Sequence, residues 1–444
     1  MLKIHTIGGY NEVGKNMTAV EINEDIIVFD CGLYLPAVID LQENERYPTP
    51  QLLRSHNAIP DDSFLIKNKN RVKAFVVTHA HLDHIGALHY IAQRFPKAHI
   101  LTTPFSIQIL KELMKDAKIN LRNKIIPINP DNFTFIKGNS TKYKIEFLNI
   151  THSTIQSTII ALHTLDGIVI YANDYKFDNT PIIGRPPNYN KFRDLAKVGI
   201  KVLIADCLYA GDDRKTNSEK IARAMVEEAL LTVDHGKSAI IISTFSSHIA
   251  RLKSIVEYSK KLNREIVFMG RSLAKYINAS RVIKMCPFEN EITMATYKGQ
   301  LKSYLKKIEL NRNKYVIVCT GHQGEKGSIL DRIVNNKLPF SFRPGDAVIF
   351  SSKVIPTAVN ISHRAEMDKK LKQKEVRIFD NVHVSGHGGK EDLRELINIL
   401  KPKHFIPSHG GLDKTTPAIE LAKKMGYSYG KTAHLCQDGS VVII

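Results

Sequence analysis

Thr78-His79-Ala80-His81-Leu82-Asp83-His84 sets three imidazoles and a carboxylate within six positions, directly after the apolar run Val72–Val77. Imidazole nitrogens and carboxylate oxygens are the donors zinc accepts, and a site with an open position can bind water and make it a nucleophile. A histidine-rich surface turn would also give this string. The alternative weakens because further candidate ligands follow other apolar runs: His152 after Tyr143–Ile150, Asp174 after Gly167–Tyr171 and His409 after His404–Pro407. Ligands leaving the carboxyl ends of strands are where open α/β sheets build their sites.

The elements that must position these residues are legible as period. Apolar and polar residues alternate through Lys3–Ile7 and Thr18–Phe29, as in half-buried strands. Between them lies the glycine-rich turn Gly8–Gly14, and Asp30 follows the second run, where a carboxylate is either an ordinary turn residue or a partner that fixes the tautomer of a ligand histidine from behind. Helical spacing over Ile85–Arg94 and Ser106–Met114, with a strand from Ile100, alternates the two element types. Beyond Asp206 the pattern restarts: strand Ser238–Thr244, helix Ser247–Lys260, strand Glu265–Met269, then Tyr315–Cys319, Asp346–Phe350 and the basic helix Ala358–Lys374. Histidines after strands return at His383, His387 and His409. The simplest account is a metal-binding domain interrupted by a second α/β domain. Residues 1–206 form its first part, 207–375 the insertion and 376–444 the completion.

Composition narrows the partners. The 444 residues carry 63 lysines and arginines against 44 acidic residues, a net charge of +19, which favours a polyanion. Five scattered cysteines without a C-x-x-C pair suit a reducing cytosol, and no apolar stretch approaches the length of a membrane span.

With these motifs in order, the chain resembles the β-CASP branch of the metallo-β-lactamase superfamily, and within it the RNase J family. The resemblance rests on the His79 cluster with Asp30, His152, Asp174 and His409, and on six further motifs. These are Ser243-Thr244-Phe245-Ser246-Ser247, Gly270-Arg271-Ser272, Gly321-His322-Gln323-Gly324-Glu325, Phe350-Ser351-Ser352, His383-Val384-Ser385-Gly386-His387 and Phe405–Gly410. It implies an α/β fold, a metallo-β-lactamase αββα sandwich with an inserted β-CASP α/β domain. It further implies a 5′-to-3′ exoribonuclease acting on single-stranded RNA with 5′-monophosphate ends, through hydroxide activated by two metals.

On that resemblance His79, His81 and His152 hold one zinc and Asp83, His84 and His409 the other, with Asp174 bridging. Manganese or magnesium could substitute in assays. His387 is the expected general acid, Asp206 the carboxylate that orients either His387 or a metal ligand, and Ser247, His383 and Ser385, with Arg271, Gly321 and Gln323, the pocket for the 5′-phosphate. His322, His248 and Gly411 depart from residues common in bacterial members, and the chain ends soon after the last motif, as in the shorter archaeal type. The expected setting is the cytoplasm, with RNA as partner, no membrane, and room for a homodimer. A β-CASP endoribonuclease of the mRNA 3′-end-cleavage type is the alternative. A thioesterase or lactonase would share the His79 motif but has no use for the second domain or the charge.

Overall fold

The computed structural model describes residues 1–44, 49–355 and 357–444. The chain folds into two compact units: Met1–Asn179, Gly184–Thr216 and Gly386–Ile444 form the first, Thr180–Ile183 and Asn217–Ser385 the second. Residues 207–216 thus belong to the first unit, tied by the bridge between Tyr209 and Gly389 and by the Thr216 hydroxyl donating to the His387 carbonyl. Residues 376–385 belong to the second, because the strand Arg377–Phe379 completes its sheet.

The first unit is a sandwich of two mixed sheets. One contains β1 (Leu2–Gly8), β2 (Met17–Ile22), β3 (Asp25–Phe29), β4 (Val72–Val76), β5 (His99–Thr102) and β6 (Ile125–Pro127). The other contains β7 (Phe133–Lys137), β8 (Lys142–Asn149), β9 (Thr158–Thr164), β10 (Gly167–Ala172) and β11 (Ile200–Asp206). The second unit contributes β12 (Ile240–Ser243), β13 (Glu265–Met269), β14 (Thr293–Ala295), β15 (Tyr315–Cys319), β16 (Ala347–Phe350) and β17 (Arg377–Phe379). The chain then returns to the first unit with β18 (His404–Ser408) and β19 (Val441–Ile443). The sheets run β19-β1-β2-β3-β4-β5-β6 and β18-β11-β10-β9-β8-β7.

Apolar side chains of both sheets meet in one core, including Ile4, Val20, Phe29 and Val76 from the first and Phe147, Ile160, Tyr171 and Ile204 from the second. Phe29 stacks on Tyr171 across the interface, centroids 5.0 Å apart. Burying such a side chain contributes about 1.5–3 kcal/mol, so the stack pins the sheet carrying Asp30 over the sheet carrying Asp174. A second core packs the helices Tyr189–Val198, Lys390–Leu400 and Leu412–Lys424 on the outer side of the second sheet.

Three sequence expectations change. Thr18–Phe29 is two antiparallel strands, because Asn23 adopts φ +51° and turns the chain, and both strands are fully buried rather than half-buried. Ile85–Arg94 is not one helix but the end of Leu82–Ile85 and a separate turn, Leu88–Ala92. Gly86 lies so close to Leu82 and Leu33 that a Cβ there would collide with both. The helix expected from Ser247 begins at Ile249, after His248.

The second unit is an all-parallel sheet, β14-β13-β15-β12-β16-β17. Its runs Ile240-Ile241-Ile242 and Tyr315–Cys319 are continuously apolar, as strands covered on both faces must be. No helix among the described residues is long and apolar enough to cross a membrane.

Candidate metal centre

Register brings the candidate ligands of the first unit together. In the second sheet β10, β11 and β18 run parallel, pairing Ala172 with Ala205 and Asp206 with Ser408, so Asp174, Asp206 and His409 emerge from neighbouring carboxyl ends. In the first sheet Phe29 pairs with Val76, which sets Asp30 beside Thr78. The segment between β8 and β9 supplies His152.

The side chains converge on Asp174, which is 1% exposed. Its carboxylate oxygens lie 3.1 Å from His84 Nε2, 3.3 Å from His152 Nε2, 3.4 Å from His79 Nε2 and 3.7 Å from His409 Nε2. His81 Nδ1 is 4.0 Å away and His387 Nε2 3.9 Å. Two groups share this carboxylate, His79/His81/His152/Asp174 and Asp83/His84/Asp174/His409, the donor atoms of each lying within 4.8 Å of one another. Asp206, His387 and His409 form a third.

The opposite ring nitrogens are committed. His84 Nδ1 donates to Asp30 Oδ2 at 2.7 Å, His152 Nδ1 to the Gly386 carbonyl at 2.7 Å, and His409 Nδ1 to Asn16 Oδ1 at 3.0 Å. His79 Nδ1 donates to Thr78 Oγ1 at 2.9 Å, and that hydroxyl passes its own hydrogen to Asp30 at 3.0 Å. Asp30 therefore orients two histidines, one directly and one through Thr78. In each of these four rings the Nδ1 hydrogen bond leaves Nε2 as the nitrogen that faces Asp174.

A cluster of inward lone pairs and carboxylates needs a positive charge. Burial first, then His84, pushes His79 down to about 3, and burial holds His152 well below the usual histidine range. His81 Nδ1 and the neutral His152 Nε2 nevertheless lie 3.0 Å apart, and His79 Nε2 and Asp174 Oδ1 are buried without a hydrogen bond among the described residues. For His84, burial opposes the proton, but Asp174, Asp83 and Asp30 outweigh it and raise the ring well above the usual range. His387 is likewise raised to about 9, against its burial, by Asp174 and Asp206. Those protons stand where cations fit: the donors are all nitrogen and carboxylate oxygen, the set suited to a transition ion such as zinc.

The family models matching the chain are the metallo-beta-lactamase superfamily over residues 10–230, the ribonuclease J beta-CASP domain over 237–365, and the Zn-dependent metallo-hydrolase RNA specificity domain over 374–434. Ribonuclease J of Pyrococcus abyssi is 40% identical, covering 100% of this chain and 97% of that protein. The chain belongs to the ribonuclease J family. Ribonuclease J of Methanocaldococcus jannaschii is 38% identical over 99% of this chain and 98% of that one. Ribonuclease J 1 of Streptococcus pyogenes is 30% identical, the match covering 92% of this chain and 68% of the longer bacterial protein. A crystal structure of an Enterococcus faecalis V583 protein of unknown function shares the fold at a TM-score of 0.66 and 16% identity, covering all of both chains. The fold is thus the metallo-β-lactamase sandwich with a β-CASP insertion that family membership requires.

In the inserted unit Ser247 is buried, His383 and Ser385 are half-buried, and Arg271 is exposed at the start of the helix Arg271–Val282. Gly321 and Gln323 hold the fold of their loop. Gly321 sits at φ +127°, where a Cβ would meet Ser328 and Leu330, and the Gln323 amide bonds the Lys353 carbonyl and the Ile355 N–H. Sequence reasoning passed over Asn16, Gly386 and Arg251. Arg251 is fully buried, paired through two bonds with Glu219, and donates to the carbonyls of Ser351 and Val382 and toward His383 Nδ1 at 3.4 Å. Its only sequence signal is a charge on the apolar face of a helix.

Proposed function

We propose that this metal-dependent ribonuclease of the ribonuclease J family is a 5′-to-3′ exonuclease, removing nucleotides from single-stranded RNA that carries a 5′-monophosphate. The observation that carries the reading is the pair of donor groups sharing Asp174, in a chain that also matches an RNA specificity domain. His79, His81 and His152 would hold one zinc and Asp83, His84 and His409 the second, with Asp174 between them. When bound, the two ions supply Lewis acidity toward the phosphodiester and a water acidic enough to attack it at neutral pH.

The chain's own groups do the rest. Asp30, Asn16 and the Gly386 carbonyl fix the rings so that no reorganisation is needed when charge develops. His387 Nδ1 donates to Asp206 Oδ2 at 2.8 Å, and the Leu208 N–H holds the other oxygen of that carboxylate at 2.8 Å. The ring therefore presents Nε2, which carries the proton to the leaving 3′-oxygen. In the inserted unit Ser247, Ser385 and His383, the last steadied by Arg251, take the 5′-phosphate. A hydroxyl or triphosphate end fits such donors worse than a monophosphate, which gives the enzyme its direction. The five cysteines, all free and buried, are consistent with work in the cytosol.

RNA labelled at either end decides the matter. Mononucleotides released from the 5′ label support the exonuclease; discrete internal fragments from both labels would replace it with the endonuclease of the mRNA 3′-end-cleavage type.

A further inference from the structure

β7 is the outer edge of the second sheet, and its alternation is inverted toward water. Ile136 faces the core at 2% exposed, whereas Phe133 and Phe135 on the opposite face are 50% and 56% exposed. Their rings meet edge to face, centroids 5.7 Å apart. The register with β8 pairs Phe135 with Lys144 and Lys137 with Lys142, so lysines border the rings on the same face. Lys144 Nζ lies 4.6 Å from the centroid of Phe133. Arg185 and Lys191 stand at the rim, paired with Asp131 at 3.0 Å and Glu146 at 3.6 Å, and Glu146 also holds Lys144 at 2.7 Å, which leaves Lys137 and Lys142 to meet a ligand. Two exposed aromatic rings within a ring of cations serve neither the core nor solubility.

We propose that this face is a docking surface for single-stranded RNA, with bases stacked on Phe133 and Phe135 and phosphates held by Lys137 and Lys142. The proposal rests on the ribonuclease reading above and extends it to substrate length. Charge complementarity selects the occupant: a polyanion gains from the lysines, while a second copy of this chain would bring the same basic face against itself. β8 links the patch to the metal centre, because Glu146, opposite Phe133, precedes His152 by six residues, roughly 20 Å of extended chain. At about 3.4 Å per stacked nucleotide that is roughly six nucleotides, so only longer RNA reaches both places.

The test is equilibrium binding of a long, unstructured, phosphorothioate-linked RNA to the intact protein, beside turnover of a long RNA and a tetranucleotide. Phe133→Ser combined with Phe135→Ser should weaken binding of the long RNA about tenfold or more and lower the long-to-short preference in turnover to match. Lys137→Ala with Lys142→Ala should reduce the salt slope of binding by roughly 0.7 per lysine. Unchanged affinity and slope in variants of unaltered thermal melting would overturn the proposal. So would a change of oligomeric state in the phenylalanine variant with RNA binding intact, since the face would then join copies of the chain. Weakened binding in a protein whose parent cleaves neither RNA would instead reject the ribonuclease reading and leave the surface standing.

Discussion

Replacing His387 by alanine should abolish turnover without emptying the metal centre. The ring is held from behind by Asp206 at 2.8 Å, and it lies outside both donor groups that share Asp174, its Nε2 standing 3.9 Å from that carboxylate. A proton donor in that place is worth about 10²- to 10⁴-fold, or about 3–5 kcal/mol of barrier. Asp206→Asn tests the same argument from the other side. The Leu208 N–H requires one acceptor oxygen, so the amide must turn its NH₂ toward Nδ1, which can then no longer carry a hydrogen, and the doubly protonated ring able to release its Nε2 proton is lost. The loss should approach that of His387→Ala, and the double variant should be no worse than His387→Ala alone, because Asp206 acts through the ring. The assays are single-turnover cleavage of 5′-monophosphorylated RNA and mass spectrometry of bound metal for all three variants. If His387→Ala loses an ion, His387 is a ligand. If the two losses multiply, Asp206 acts on the metal centre independently, through the group it forms with His387 and His409.

Purified protein should carry two transition-metal equivalents per chain and lose activity on chelation; full activity with less than one equivalent would end the di-metal reading. Ser247→Ala should retain both ions but lose about tenfold of its preference for 5′-monophosphate over 5′-hydroxyl RNA, and an unchanged ratio would place the phosphate pocket elsewhere. His89, buried beside Tyr90 and away from the metal ligands, is pushed down to about 4 by burial, so the native state binds its proton more weakly than the unfolded chain does. Stability from keeping it neutral is complete above about pH 6.5 and declines as pH falls toward 4, by up to about 3 kcal/mol. Urea melts at pH 8 and pH 4.5 should show His89→Phe gaining on the parent at the lower pH; a constant difference would refute the assignment. Arg251→Met should destabilise the inserted unit by about 3–5 kcal/mol, since Glu219 is left buried without its partner, and a melting curve matching the parent's would show the pair to be dispensable.

The convergence of the candidate ligands was legible because strands bring their carboxyl ends to one place, and a histidine or aspartate just past an apolar run announces itself. Their supports were not. Asn16 reaches His409 across 393 positions, and His152 is held by a backbone carbonyl that no residue type encodes. Helix boundaries failed where close approach rather than periodicity governs, as at Gly86 under Leu33. Least visible of all was the backbone of the site itself. Asp30, Asp174 and His409 adopt φ of +55°, +56° and +63°, each within two residues of a strand end. Left-handed conformations cost most residues about 1–2 kcal/mol, less for aspartate, asparagine and histidine, and all three of these are residues of that tolerant class. At Asp30 and His409 the turn breaks the pleat directly after the last paired residue, and at Asp174 one residue later, so each side chain is freed from the alternating faces of the sheet and can reach the centre. A glycine would make the turn more easily but carries no ligand; the site therefore accepts the strain at these strand ends, where a donor atom is required.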